Sequence, residues 1–204
     1  MSSPRVILAA AVLVACLFAA GAGILLGERR DDLAATVRPD AFQGAVRPKI
    51  PAPPLTGLRD QDGKRVDMNG LRGGPVVVTF VYSTCEDTCP AQVQAIRGAL
   101  DRLDRDLPVV AISVDPARDT RRRAEKFLFD QGMTGRMRFM VGSRSDLTPV
   151  WREYGIQPQT SELEHSAYIV LLDERGRQRV GWPHAKLTTE NLEHDLRLLL
   201  EKRL

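Results

Sequence analysis

Seven consecutive residues, Val76-Val77-Val78-Thr79-Phe80-Val81-Tyr82, are apolar or β-branched, and they run straight into Ser83-Thr84-Cys85-Glu86-Asp87-Thr88-Cys89-Pro90. A continuous run of this kind fits a strand buried on both faces, because a half-solvated strand would alternate. Pro90 suits the first turn of a helix, where its missing N–H costs nothing. Val93, Ile96, Ala99, Leu100 and Leu103 then recur on one helical face. The chain therefore carries a buried strand, a loop with two thiols and an amphipathic helix in immediate succession.

The alternation continues. Val109–Val114 reads as a strand, and Asp119 or Thr120 can cap a helix running to about Gln131. Met137–Val141 is a strand and Leu147–Tyr154 a short helix. Ala167–Leu172 is a strand that turns at Asp173-Glu174-Arg175-Gly176 into Arg177–Gly181, and a last helix spans about Thr188 to Lys202. Ahead of the buried strand, residues 58–60 and 64–66 flank Gln61-Asp62-Gly63, a hairpin signal. Strands alternating with helices predict an α/β sandwich with a partly parallel central sheet.

The N-terminal part is different. Val6 to Gly27 is a run of 22 uncharged residues, closed by Glu28-Arg29-Arg30-Asp31-Asp32. An apolar helix of roughly 20 residues spans a bilayer, so residues 1–30 are expected to be a membrane anchor. Two other readings stay open: a signal peptide cleaved near Ala20-Gly21-Ala22, and a lipoprotein signal in which Leu13-Val14-Ala15-Cys16 presents Cys16 for lipidation. The run through Ile24-Leu25-Leu26 is long for a signal core and favours the anchor. Arg5 on one side against Arg29 and Arg30 on the other leans toward a cytoplasmic C-terminal domain on charge count alone. Residues 31–54 carry Pro39, Pro48, Pro51, Pro53 and Pro54 without an apolar period and are expected to form an extended tether. The globular domain is expected over 55–204.

A net charge of +3 and no basic stripe interleaved with aromatics give no reason to expect nucleic acid as a partner. Arg121-Arg122-Arg123 reads as the solvated face of a helix. Three cysteines are too few for a disulfide framework, so the Cys85–Cys89 pair points to metal or redox work. Backbone N–H groups at the helix start favour a thiolate there. The pair has three residues between its cysteines, where a redox motif of thioredoxin type has two; the longer loop lets both sulfurs face one ion and still permits a disulfide. Soft thiolates suit copper(I), zinc or iron–sulfur chemistry. A third ligand is wanted, and His165, just before the 167–172 strand, is the candidate; His184 and His194 are expected to lie away from the cysteine loop. Two thiolates and an imidazole suit copper(I), while copper(II) would want a further oxygen or nitrogen ligand.

These motifs resemble the Sco/SenC family of copper proteins. The likeness rests on the strand leading into Cys85-Glu86-Asp87-Thr88-Cys89-Pro90, on Ser113-Val114-Asp115-Pro116-Ala117-Arg118-Asp119-Thr120, and on His165-Ser166-Ala167. It runs from about Leu55 to Leu204. The resemblance implies a thioredoxin-like fold, a single N-terminal membrane anchor through residues 6–27, and a domain in the bacterial periplasm or the mitochondrial intermembrane space, against the charge count above. It implies copper(I) or copper(II) bound by Cys85, Cys89 and His165. It also implies a role in assembling the binuclear copper site of cytochrome c oxidase subunit II, with other copper chaperones as further partners. Asp87 falls at an acidic position frequent in the family's loop, open between tuning the site, contacting a partner and plain solvation. Glu86 stands where many relatives have proline, and Ser83-Thr84 where others often carry an aromatic, histidine or arginine, which bears on partner choice and reduction potential. The 115–120 motif reads mainly as a strand-end turn and helix cap, with a role for Asp115 near the copper loop or partner surface as the other reading.

Three functions are therefore in view: a metallochaperone without catalytic turnover, which needs His165; a thiol–disulfide oxidoreductase keeping the oxidase cysteines reduced, which needs only Cys85 and Cys89; and a peroxidase, since peroxiredoxins share the fold.

Overall fold

The computed structural model of the protein describes residues 41–159 and 167–201. The expected membrane segment 6–27, Cys16, the linker up to Asp40 and His165 lie outside the described residues. Among the described residues, no helix is long and apolar enough to cross a membrane.

The elements follow in the order β1 (Ala45–Val46), β2 (Val76–Val81), α1 (Thr88–Leu103), β3 (Val109–Ser113), α2 (Arg121–Asp130), β4 (Met137–Met140), α3 (Arg144–Tyr154), β5 (Tyr168–Leu172), β6 (Gln178–Pro183) and α4 (Thr189–Glu201). Short 3-10 turns occupy Met68–Leu71 and His184–Lys186. The strands form one six-stranded sheet in the order β1-β6-β5-β2-β3-β4. β2, β3 and β4 run parallel, β5 lies antiparallel beside β2, and β6 lies antiparallel beside β5. The expected α/β sandwich with a partly parallel sheet is what forms.

Every residue of β2 is buried, and the period of two divides them between two cores. Val77 and Val81 pack with α1, α2 and α4 through Val93, Ile96, Phe127, Leu128, Leu192 and Leu196. Val76, Val78 and Phe80 pack on the opposite face with α3, through Leu147, Val150, Trp151 and Tyr154, and with Leu55, Leu58 and Val66. Thr120 caps α2, and a reciprocal Ser143–Asp146 capping box starts α3, three residues earlier than its apolar spacing suggests.

Two expectations need correction. Residues 42–54 are not a free tether: the compact unit begins at Phe42. Ala45 and Val46 pair with Gly181 and Val180. Arg47 donates from Nε to Gln178 Oε1 (2.8 Å) and from a terminal nitrogen to the Tyr154 carbonyl (2.9 Å). Asp195, fully buried on α4, accepts the N–H groups of Gln43 and Gly44 at 2.8 and 2.9 Å. Such partners lie far off in sequence, so a local apolar period was never needed to order this segment. The hairpin over 58–66 is the second correction. The turn closes, with the Asp60 N–H on the Lys64 carbonyl at 2.9 Å and the Asp60 carboxylate taking the N–H groups of Asp62 and Lys64, but its arms do not pair on as strands, and the Arg59 backbone bridges to Val141 at the sheet edge.

Candidate thiol and metal site

The cysteine loop leaves β2 at its C-terminal end and becomes α1 within a few residues. Asp87 is the N-cap residue, and its exposed side chain makes no capping hydrogen bond. The first N–H groups of α1 are thus left for another acceptor. That acceptor is sulfur: the Cys89 N–H donates to Cys85 Sγ at 3.2 Å. Both cysteines are free thiols and buried, Cys89 completely.

The two sulfurs are unequal. The Cys89 thiol donates to Cys85, and this, with the N–H groups of Cys89 and Asp87 and the Tyr82 hydroxyl, outweighs burial and holds the Cys85 thiol at about 5. At neutral pH it is a thiolate. Cys89 moves the other way, pushed up by the hydrogen bond it gives and by burial. Burial and the bond to Cys85 push Tyr82 up to about 12. The arrangement offers one nucleophilic or metal-binding thiolate beside one protonated thiol.

Around the pair stand Gln92, which sequence reading does not single out, and Asp115, Arg118 and Asp119, which it reads mainly as a strand-end turn and helix cap. Arg118 lies 5.8 Å over the Tyr82 ring and pairs with Asp115. Gln92, three residues past Cys89 and fully buried, reaches Thr79 on β2 and the Tyr168 carbonyl on β5, tying α1 to the sheet. Asp119 accepts from Ser83 and Ser113. Gln92 carries no local signal beyond being polar within an apolar stretch, whereas Asp115, Arg118 and Asp119 lie in the 113–120 motif, whose contacts to the thiol loop no local period shows.

Of the three expected ligands, Cys85 and Cys89 come together; His165 is outside the described residues. The residues on either side of its segment are described. Gln159 donates its N–H to the Val114 carbonyl at 2.9 Å, and Val114 in turn donates to the Val81 carbonyl at 3.0 Å. Ala167 precedes β5, whose first residues lie beside the C-terminal end of β2. His184 departs from expectation. Because β6 returns antiparallel to β5, it brings His184 to this same end of the sheet, where its N–H donates to the Ala167 carbonyl (2.9 Å). Its Nδ1 is buried and has no hydrogen-bond partner among the described residues. His194 sits on α4.

A thiol pair at the C-terminal end of a central strand, opening a helix in a mixed sheet with helices on both faces, defines a thioredoxin-like dithiol protein. The chain belongs to the SCO1/SenC family, whose model matches residues 57–201. It is 29% identical over 171 residues to the Arabidopsis thaliana protein SCO1 homolog 1, mitochondrial, a match covering 76% of this chain and 48% of that protein. It is 24% identical to an SCO2-like protein of Rickettsia prowazekii, covering 59% of this chain and 63% of that one. The chain thus spans less than two thirds of the length of either relative. The structure of Bradyrhizobium japonicum ScoI with copper bound is similar at a TM-score of 0.56 and 26% identity, over 78% of this chain and all (100%) of that one.

Proposed function

We propose that this protein is a copper-binding metallochaperone that holds its ion through Cys85, Cys89 and His165 and serves the binuclear copper site of cytochrome c oxidase subunit II. The observation that carries the reading is the Cys85–Cys89 pair, two sulfurs held against one helix start with one already a thiolate. Thiolates are the donors that select copper(I). The copper-bound state of the Bradyrhizobium relative supports the choice of metal. The position of Gln159 and Ala167 at the thiol end of the sheet supports a ligand role for His165 between them. In this reading residues 6–27 anchor the protein in the bacterial inner membrane with the domain facing the periplasm, or the intermembrane space if the source is mitochondrial. The test is copper content of the full chain, purified in detergent and loaded with copper(I). About one copper per chain is expected, lost in both Cys85→Ser and Cys89→Ser. Full loading of both serine variants would sink the proposal.

A second reading, thiol–disulfide reduction of the oxidase's copper-ligand cysteines, is favoured by the asymmetry of the thiols. A low-pKa attacking thiolate beside a protonated resolving thiol suits exchange through a mixed disulfide. Disulfide reduction in an oxidase peptide that persists in His165→Ala would favour this role; loss of it in that variant would favour the copper role.

A further inference from the structure

Thr120 is the cap of α2, accepting from the Arg123 N–H at 3.3 Å, which leaves its neighbour Asp119 without that duty. The Asp119 carboxylate is 7% exposed and turned inward. Oδ1 accepts from the Ser83 N–H at 2.8 Å and from Ser83 Oγ at 2.5 Å. Oδ2 accepts from Ser113 Oγ at 2.5 Å. Ser83 is the second residue after β2 and the second before Cys85; Ser113 ends β3. One carboxylate therefore joins the start of the cysteine loop to the neighbouring strand.

On its far side the loop is held at the thiols, where Cys85 Sγ takes the Cys89 N–H at 3.2 Å, and at Tyr82, whose ring lies under Arg118. Within it, the Cys85 N–H reaches the Tyr82 carbonyl at 3.3 Å, and Thr84, Glu86 and Asp87 are exposed. Release of Ser83 would free the 82–85 turn to move Cys85 Sγ relative to the Cys89 N–H. A buried carboxylate is costly unless its oxygens are satisfied, and three donors satisfy this one.

We propose that Asp119 is the positioning residue of the thiol site. It fixes the 83–85 turn so that Cys85 Sγ stays seated on the start of α1, and through that seat it sets both copper affinity and the dithiol–disulfide balance. The copper half rests on the metallochaperone reading; the thiol half does not. Groups that orient metal ligands from outside typically change affinity about 10- to 100-fold when removed.

The test uses the full chain in detergent with four proteins: wild type, Asp119→Ala, Asp119→Asn and Ser83→Ala. Circular dichroism first establishes which are folded. Copper(I) affinity is read by competition with a chromophoric chelator. The dithiol is equilibrated against glutathione, each chain losing two electrons and the Cys89 proton as it forms its disulfide, and one glutathione disulfide taking up those electrons, that proton and one from solvent to become two thiols. In Asp119→Ala, copper affinity should fall about 10- to 100-fold. The thiol equilibrium should move at least about fivefold toward the disulfide, because the seat that favours the reduced pair is lost. Asp119→Asn should stay near wild type in both readouts, since its Oδ1 can keep both Ser83 donors and its Nδ2 can donate to Ser113 Oγ. Ser83→Ala, which removes one bond, should fall between them and keeps the test decisive if Asp119→Ala does not fold. Folded Asp119→Ala or Ser83→Ala unchanged in both readouts overturns the proposal. So does Asp119→Asn as impaired as Asp119→Ala, which would make charge rather than position the cause. If wild type itself binds no copper, the metallochaperone reading fails, and the glutathione equilibrium still decides the role of Asp119.

Discussion

Replacing Cys89 by alanine removes the largest single support of the Cys85 thiolate. In the wild-type protein Cys85 is held at about 5, against 9.0 for an ordinary thiol. At pH 7 this is the difference between about 99% and about 1% thiolate. The hydrogen bond from the Cys89 side chain is the first cause, and the N–H groups of Cys89 and Asp87 remain in the variant. A hydrogen bond to a charged acceptor contributes roughly 1.5–3 kcal/mol, and a thiol is a weak donor at the low end of that range. At about 1.36 kcal/mol per unit, its loss should lift Cys85 by about one unit, to about 6. Cys89→Ser keeps a hydroxyl donor and should leave Cys85 close to its wild-type value. The assay is thiolate absorbance near 240 nm in metal-free protein, with iodoacetamide labelling to assign the site. The sign is fixed: the depressed acid is ionised above about pH 5, and labelling falls roughly tenfold per pH unit below it. A wild-type midpoint near 9, or one that Cys89→Ala leaves unmoved, would refute the reasoning.

Two further outcomes are expected. Asp195→Ala strands the N–H groups of Gln43 and Gly44 and the Trp182 Nε1–H, which lies 3.0 Å from the carboxylate; it should cost about 2–4 kcal/mol in urea unfolding and speed amide exchange at residues 43–47. Gly181→Ala drives a methyl group into the Tyr168 ring packed over it, at a cost of about 1–3 kcal/mol in thermal unfolding, and Tyr168→Ala in the same chain should recover much of that loss.

The parts of the fold legible in the sequence are those governed by local period. The Val76–Val81 strand announces itself by uninterrupted burial on both faces, and α1 by the spacing of Val93, Ile96 and Leu100. What stayed hidden depends on partners distant along the chain. Residues 42–54 look like a linker because their order comes from Asp195, Tyr154 and Gln178, more than a hundred residues away. His184 returns to the thiol end only because β6 pairs antiparallel with β5, bringing Tyr168 opposite Pro183. Asp119 reads as a cap because Thr120 beside it is one; its bond to Ser83 crosses 36 positions. In the site, the cysteines and a thiolate at the helix start were legible from their place between a strand and a helix, whereas their inequality follows from the hydrogen bond the Cys89 thiol gives to Cys85 and from the deeper burial of Cys89, which have no pattern of their own.

The central claim is a copper site that needs a histidine beside the two thiols, and its most direct measurement is the copper(I) affinity of the full chain, wild type beside His165→Ala and His184→Ala. His184 is the second histidine at the relevant end of the sheet, but it follows β6, which is separated from β2 by β5, a displacement of about 10 Å at ordinary strand spacing. The expected result is a fall of at least about tenfold, or about 1.4 kcal/mol, in His165→Ala, with its thiols still titratable and with His184→Ala unchanged. Undiminished affinity in His165→Ala would contradict the account and leave Cys85 and Cys89 as a redox pair.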